Sequence, residues 1–304
     1  MFTLLSRSVV LRRLASTYGM AKPWGFARRF VAGESVEEAI EASRALQARG
    51  LRLTLDHLGE GVATLEQAAE AARDYLQLID VVVAAGIERN ISLKLSQLGL
   101  LVDRATCIDN MRRILEPAAR HDFFVRIDME GSAYTEVTLD VFETLWQLEH
   151  RNIGVVLQSY LHRTEQDLRR MNELGARVRL VKGAYHEPPS VAHRQKADVD
   201  AAYLRQMRLL LDHGVYPAFA THDEAILREV RGYATERAVA SDRYEFQMLY
   251  GIRRDLQASC VADGYRMRVY VPFGREWFPY FMRRLGERPA NVISLVRALL
   301  GEKK

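Results

Sequence analysis

At 304 residues, 48% of them hydrophobic and 27% charged, the chain has the composition of a globular protein with enough length for a sizeable core. Its two cysteines, Cys107 and Cys260, stand far apart with no CxxC or Cys/His cluster, which excludes a disulfide framework and a structural zinc site. The net charge of +4 is uneven: residues 1–33 carry six basic residues and no acid, the rest 37 basic against 39 acidic, and no apolar run reaches the roughly 18 residues of a membrane-spanning helix.

The basic start holds Arg7, Arg12, Arg13, Lys22, Arg28 and Arg29, interleaved with Leu4, Leu5, Val9, Val10, Leu11 and Leu14. It admits a transit peptide, an amphipathic helix on a membrane surface, or a terminal helix packed on the body. The packed helix, combined with membrane-surface contact by residues 1–28, is the expectation. Residues 1–45 are assigned to a helical arm and 46–304 to the body.

Eight short apolar runs follow, at 51–56, 90–94, 123–128, 154–158, 177–182, 216–221, 244–249 and 267–271. Most are nearly continuous, the pattern of parallel strands covered on both faces. Between them helical periodicity is clearest at Val199, Ala202, Tyr203, Met207, Leu210 and Leu211, and recurs over 62–85, 103–120, 136–150 and 164–174. Strand and helix alternating eight times over about 250 residues match an α/β fold of the (β/α)8 TIM-barrel type. A doubly wound sheet would usually carry a glycine-rich nucleotide turn, and the chain has no GxGxxG.

In such barrels the site lies where the strands end. The residues closing the runs are Asp56, Lys94, Asp128, Gln158, Lys182 with Gly183 and Ala184, Thr221-His222-Asp223, Leu249 and Tyr270. Singly, each is as well explained as a helix cap or turn former; together they describe a polar mouth. Lys94, Arg179, Lys182, His222, Arg283 and Arg284 make it cationic, which suits an anionic ligand with phosphates and a small carboxylate substrate. Lys182 also admits a Schiff-base nucleophile of the aldolase kind. Asp56, Asp128, His222 and Asp223 lack metal-ligand spacing, so no metal is expected.

The last run reaches a Pro272-Phe273-Gly274 turn, then a helix-like segment carrying Trp277, Phe278, Tyr280 and the adjacent Arg283 and Arg284. Guanidinium forks among aromatics form a carboxylate clamp beside an apolar wall, because excluding water strengthens the charged pair.

These residues carry a resemblance. Residues 53–60 (LTLDHLGE), 92–96 (SLKLS), 126–130 (RIDME), 180–185 (LVKGAY), 220–223 (ATHD), 246–251 (FQMLYG) and 281–291 (FMRRLGERPAN) resemble the successive motifs of the proline dehydrogenase family, in its monofunctional bacterial form. The resemblance implies a distorted (β/α)8 barrel that uses FAD to oxidise L-proline to 1-pyrroline-5-carboxylate and passes electrons to a membrane quinone. By motif, Met129, Gln158, Arg179, Lys182, Gly183, Ala184, Thr221 and His222 would contact the flavin. Lys94, Asp128, Tyr185, Leu249, Tyr270 and Tyr280 would line the substrate pocket, Arg283 and Arg284 would hold the carboxylate, and Glu287 would pair with one arginine.

Asp128 and Arg179 are the expected catalytic pair, the cation of Arg179 or Lys182 favouring the anionic reduced flavin. For Lys94 and Asp128, an ion pair shaping the mouth stands beside direct catalysis. The flavin is expected without covalent attachment, since no Cys or His lies in a flavinylation motif. The implied setting is the bacterial cytoplasm, with peripheral contact on the inner face of the membrane and no nucleic-acid partner. Tyr270 and Tyr280 would crowd a ring hydroxyl, which favours proline over hydroxyproline.

Overall fold

The computed structural model describes Met20, residues 25–59 and residues 61–287. Eight strands close into a barrel in chain order: β1 (Arg52–His57), β2 (Asn90–Leu93), β3 (Phe124–Ile127), β4 (Ile153–Gln158), β5 (Arg177–Val181), β6 (Ala218–Ala220), β7 (Glu245–Leu249) and β8 (Met267–Phe273). Every neighbouring pair is parallel, including the β1–β8 seam, where Arg52 pairs with Arg268 and His57 with Phe273.

Helix α1 (Val36–Gln47) precedes the barrel, and α2 (Leu65–Ala85), α3 (Arg104–Arg120), α4 (Thr135–Gln147), α5 (Thr164–Glu173), α6 (Lys196–His213), α7 (Glu224–Glu236), α8 (Arg254–Ala262) and α9 (Trp277–Glu287) each follow one strand. Short polar caps start several of them. Ser35 and Thr64 form capping boxes with Glu38 and Gln67, and Asp103 caps α3, so donors that the first turn leaves open are satisfied. Among the described residues no helix is long and apolar enough to cross a membrane.

Alternate strand residues face opposite ways. The outer set, with Leu53, Leu55, Ile91, Leu93, Val125, Ile127, Val155, Leu180, Phe246 and Val269, is buried with the helices' apolar faces in one core. The inner set is mostly polar, with Val156, Ala218 and Leu249 among its apolar members. Arg268, Glu245, Arg126, Arg179, Thr54, Ser92 and Gln247 are all buried inside the barrel and bonded to one another or to strand carbonyls. The strands are thus buried on both faces as expected, but the inner face is largely polar where the sequence reading had nearly continuous apolar runs. Charge is tolerated inside because nearly every group has a partner there, which is the condition for burying it.

Two strand ends and one helix depart from the sequence reading. Pro272 and Phe273 do not form a turn but extend β8, and the Pro272 carbonyl accepts from the Ala32 N–H at 2.8 Å; the chain turns only at Gly274, whose φ is +120°. Tyr216 adopts a left-handed φ of +48°, so β6 begins later, at Ala218. Helix α1 runs across the boundary drawn at residue 45, with Ala39, Ile40 and Leu46 in the barrel core.

Ahead of α1, residues 25–34 form a strap along the ends of β7 and β8 beside the mouth. Gly274 N–H bonds to Gly33 O at 3.0 Å, and a Cβ at Gly251 would overlap the Arg29 carbonyl oxygen, so glycine is required there. Met20, Ala27, Phe30 and Val31 are buried against Trp277, Phe278, Tyr280, Phe281 and Met282 of α9. Met20 and Ala27 therefore brace the helix that carries the arginines, a role beyond surface attachment. Residues 1–19 lie outside the described residues.

Candidate active site

The C-terminal strand ends open into a cavity of about 620 Å³. All sixteen residues assigned to the flavin or to proline from the sequence line it: Lys94, Asp128, Met129, Gln158, Arg179, Lys182, Gly183, Ala184, Tyr185, Thr221, His222, Leu249, Tyr270, Tyr280, Arg283 and Arg284. A larger cavity, about 830 Å³, lies between β1, α2 and α9 and shares only Tyr280 and Arg283 with it. Strand-end polar groups converge in the first.

Asp128 is the hub of its floor. One carboxylate oxygen accepts from Arg179 Nη1 at 2.7 Å and the other from the Tyr270 hydroxyl at 2.7 Å. Arg179 is nearly buried and also donates to Ser92 Oγ at 3.1 Å, and its guanidinium lies 5.4 Å from the Tyr270 ring centre. Burial, reinforced by the Asp128 and Asp56 charges, pushes the Tyr270 phenol well above its ordinary value, so it stays protonated and donates. Lys94 pairs at 3.2 Å with the fully buried Asp56, and Asp128 with Arg179, which replaces the expected Lys94–Asp128 pair. The register explains it: Asp56 sits beside Ser92, two residues before Lys94. Burial raises the Asp56 carboxyl above its ordinary value, and the Lys94 ammonium offsets this only in part.

On the opposite wall Lys182 Nζ donates to Asp200 Oδ1 at 2.6 Å and Asp223 Oδ2 at 2.8 Å, and Lys196 joins both carboxylates. This quartet ties the end of β5 to the first turns of α6 and α7. Burial pushes the Asp223 carboxyl up, but the Lys182 hydrogen bond and the two ammonium charges outweigh it and hold it at about 2. Gly183 has φ +111°, and a Cβ there would overlap the Tyr160 ring. Beside it the Gln158 amide nitrogen donates to Glu130 O at 3.1 Å. Among the described residues Gln158 Oε1 and Arg179 Nε are buried without a hydrogen-bond partner.

Arg283 and Arg284 are consecutive on α9, about 100° apart around the helix axis, yet both reach the cavity. Arg284 is buried, with its guanidinium 5.0 Å from the Tyr280 ring centre. The Glu287 side chain lies outside the described residues. Sequence reasoning passed over Lys196, Asp200 and Arg253, and named Asp56 and Asp223 without a role. The signal for Lys196 and Asp200 was present in their i, i+4 spacing; Arg253, at φ +49° ahead of α8, had none. Among the described residues no group of three His, Cys, Asp or Glu could hold a metal.

Fold and cavity together define a (β/α)8 barrel with a polar cavity at the strand C-termini, where enzymes of this fold place their sites. The proline dehydrogenase family matches residues 39–297. A proline dehydrogenase of Deinococcus radiodurans is 44% identical over 283 residues, 92% of this chain and 91% of the relative. Proline dehydrogenase 2 of Bacillus subtilis is 40% identical over 291 residues, 96% and 95% of the two chains. Among solved structures, proline utilization A (PutA) from Bdellovibrio bacteriovorus, inactivated by N-propargylglycine, is similar with a TM-score of 0.80 at 27% identity, covering 86% of this chain and 32% of that one. The chain belongs to the proline dehydrogenase family and is an enzyme of it.

Proposed function

We propose that the enzyme oxidises L-proline to 1-pyrroline-5-carboxylate with non-covalent FAD and passes the electrons to a membrane quinone, working at the cytoplasmic face of a bacterial membrane. The observation that carries this reading is the convergence on one cavity of the strand-end residues matched to the family's flavin motifs with the paired arginines of α9. The cavity sets the cationic side chains of Arg179, Lys182 and Lys196 beside the left-handed Gly183, a donor set that fits an anionic dinucleotide such as FAD. Met129, Gln158, Arg179, Lys182, Gly183, Ala184, Thr221 and His222 would hold it, and Lys196 adds a second ammonium beside Lys182 for its diphosphate. When bound, FAD supplies the two-electron acceptor for a hydride.

The chain's own residues supply position. Arg283 and Arg284 hold the substrate carboxylate by charge-assisted bonds. Leu249 and Tyr270, paired across β7 and β8, with Tyr280 and Tyr185, confine the ring. Asp128 holds Arg179 toward the cofactor side and, through Tyr270, ties it to the substrate wall. Lys94 and Asp56 support that wall from beneath. Orienting the carbon beside nitrogen in this way is the larger part of catalysing hydride loss. The Schiff-base alternative loses ground, since Lys182 Nζ is tied to Asp200 and Asp223 at 2.6 and 2.8 Å and is not aimed at a substrate carbonyl.

The absorption spectrum of the purified protein tests this. Flavin bands are expected that bleach on anaerobic addition of proline, with the colour leaving the polypeptide on acid denaturation. A colourless protein that fails to oxidise proline when FAD is added would overturn it.

A further inference from the structure

Strand β6 is short, ending at Ala220, and its ladder with β7 continues for one rung as the Thr221 N–H bonds to Gln247 O at 3.2 Å. On β7 the next N–H facing β6 is that of Leu249. It ends on a side chain, donating to Nε2 of the His222 imidazole at 3.0 Å. The Leu249 carbonyl in turn accepts from Gln257 Nε2 at 3.2 Å. The backbone of a residue lining the cavity is thus held on both sides by side chains, where a longer β6 would have used its own carbonyl.

A backbone N–H only donates, so His222 Nε2 must present its lone pair. A ring that accepts there is neutral and carries its proton on Nδ1. We propose that His222 is a positioning residue for the substrate wall: as the Nδ1-protonated tautomer it completes the β6–β7 ladder and so fixes Leu249 across from Tyr270. This rests on the reading that Leu249 confines the proline ring. It adds a substrate-side task to a residue whose ring also borders the cofactor side of the cavity. The β6 side of the wall then depends on one neutral imidazole, where a backbone amide bond would be indifferent to the side chain; on the β8 side the Tyr250 N–H to Tyr270 O bond at 2.9 Å holds it.

Two measurements test the proposal on the full-length protein. Nitrogen-15 NMR of histidine-labelled holoenzyme reads the tautomer: His222 is expected with Nδ1 protonated and Nε2 bare, and a proton on Nε2 would overturn the proposal whatever the kinetics. His222→Gln keeps an acceptor at the reach of Nε2, whereas His222→Phe keeps the ring's shape and loses the acceptor. For the net worth of one hydrogen bond, the Phe variant should raise the KM for proline about three- to tenfold relative to the Gln variant at matched flavin content. Equal KM values in the two would refute it. Flavin content, read from the visible spectrum, separates loss of the wall from loss of the cofactor. If wild-type enzyme failed to oxidise proline, the parent reading would fall, and this one with it.

Discussion

Glu245→Gln is the sharpest probe of the charged barrel interior. The Glu245 carboxylate is buried at the closed end, where Oε1 accepts from Arg268 Nε at 2.7 Å and Oε2 from Arg268 Nη2 at 3.0 Å and the Tyr216 hydroxyl at 3.1 Å. Removing one partner of a buried pair costs about 3–5 kcal/mol. The lower end applies here, because Arg268 Nη1 keeps Glu88 at 2.8 Å and the Leu53 carbonyl at 2.6 Å. With about 2.1 cal/mol/K of unfolding entropy per residue over 304 residues, roughly 3 kcal/mol lowers Tm by about 5 °C. Urea and thermal unfolding followed by circular dichroism measure it. Replacing both partners, as Glu245→Leu with Arg268→Met, should cost less than the single change, since neither of the two buried charges is left without the other and the partly exposed Glu88 keeps Arg52 at 3.9 Å and the Leu53 N–H at 2.8 Å. Burial pushes the Glu245 carboxyl up, but the Arg268 charge and hydrogen bonds outweigh it and hold it at about 2. Its folded value is depressed, so its contribution is complete above the unfolded value of about 4.3 and is lost as pH falls from there toward 2. The Gln variant should lack that part of the acid slope. A Gln variant as stable as wild type, with the same acid slope, would refute the reasoning.

Arg283→Met and Arg284→Met should each raise the KM for proline by one to two decades while flavin stays bound, since a hydrogen bond to a charged group is worth about 1.5–3 kcal/mol; unchanged KM in both would remove the clamp. Asp128→Asn should lower kcat/KM by about tenfold or more, because it strands the buried Arg179 without its counter-charge, and steady-state rates at saturating FAD decide it.

The barrel was legible because each apolar run was bounded by helical periodicity, and the site because polar residues closed those runs. Which way each strand residue faced was less clear. Arg126 and Asp128, Arg177 and Arg179, and Glu245 and Gln247 recur at spacing two, the signature of one shared face. That signal was outweighed by the apolar residues between them, and it only becomes an interior once the strands close. The pairing of Lys94 with Asp56 depends on the β1–β2 register, which local sequence does not encode. The strap's hold on α9 joins residues more than 200 positions apart, as Trp277 Nε1 to Glu34 illustrates.

Arg268 has a kinetic consequence. Its partners lie at Leu53, 215 positions upstream, at Glu88, 180 upstream, and at Glu245, 23 upstream. As the chain leaves the ribosome, two of these groups are made long before the guanidinium that satisfies them. Until β8 arrives Glu245 has no Arg268 and Glu88 only the looser Arg52 at 3.9 Å, so a barrel short of its last strand is penalised and closure is favoured as a late step. Contacts this distant in sequence also slow folding, because the loop entropy is spent before any of them forms. The same ion cluster that steadies the finished barrel therefore makes its assembly cooperative and leaves the nascent chain exposed until its eighth strand arrives.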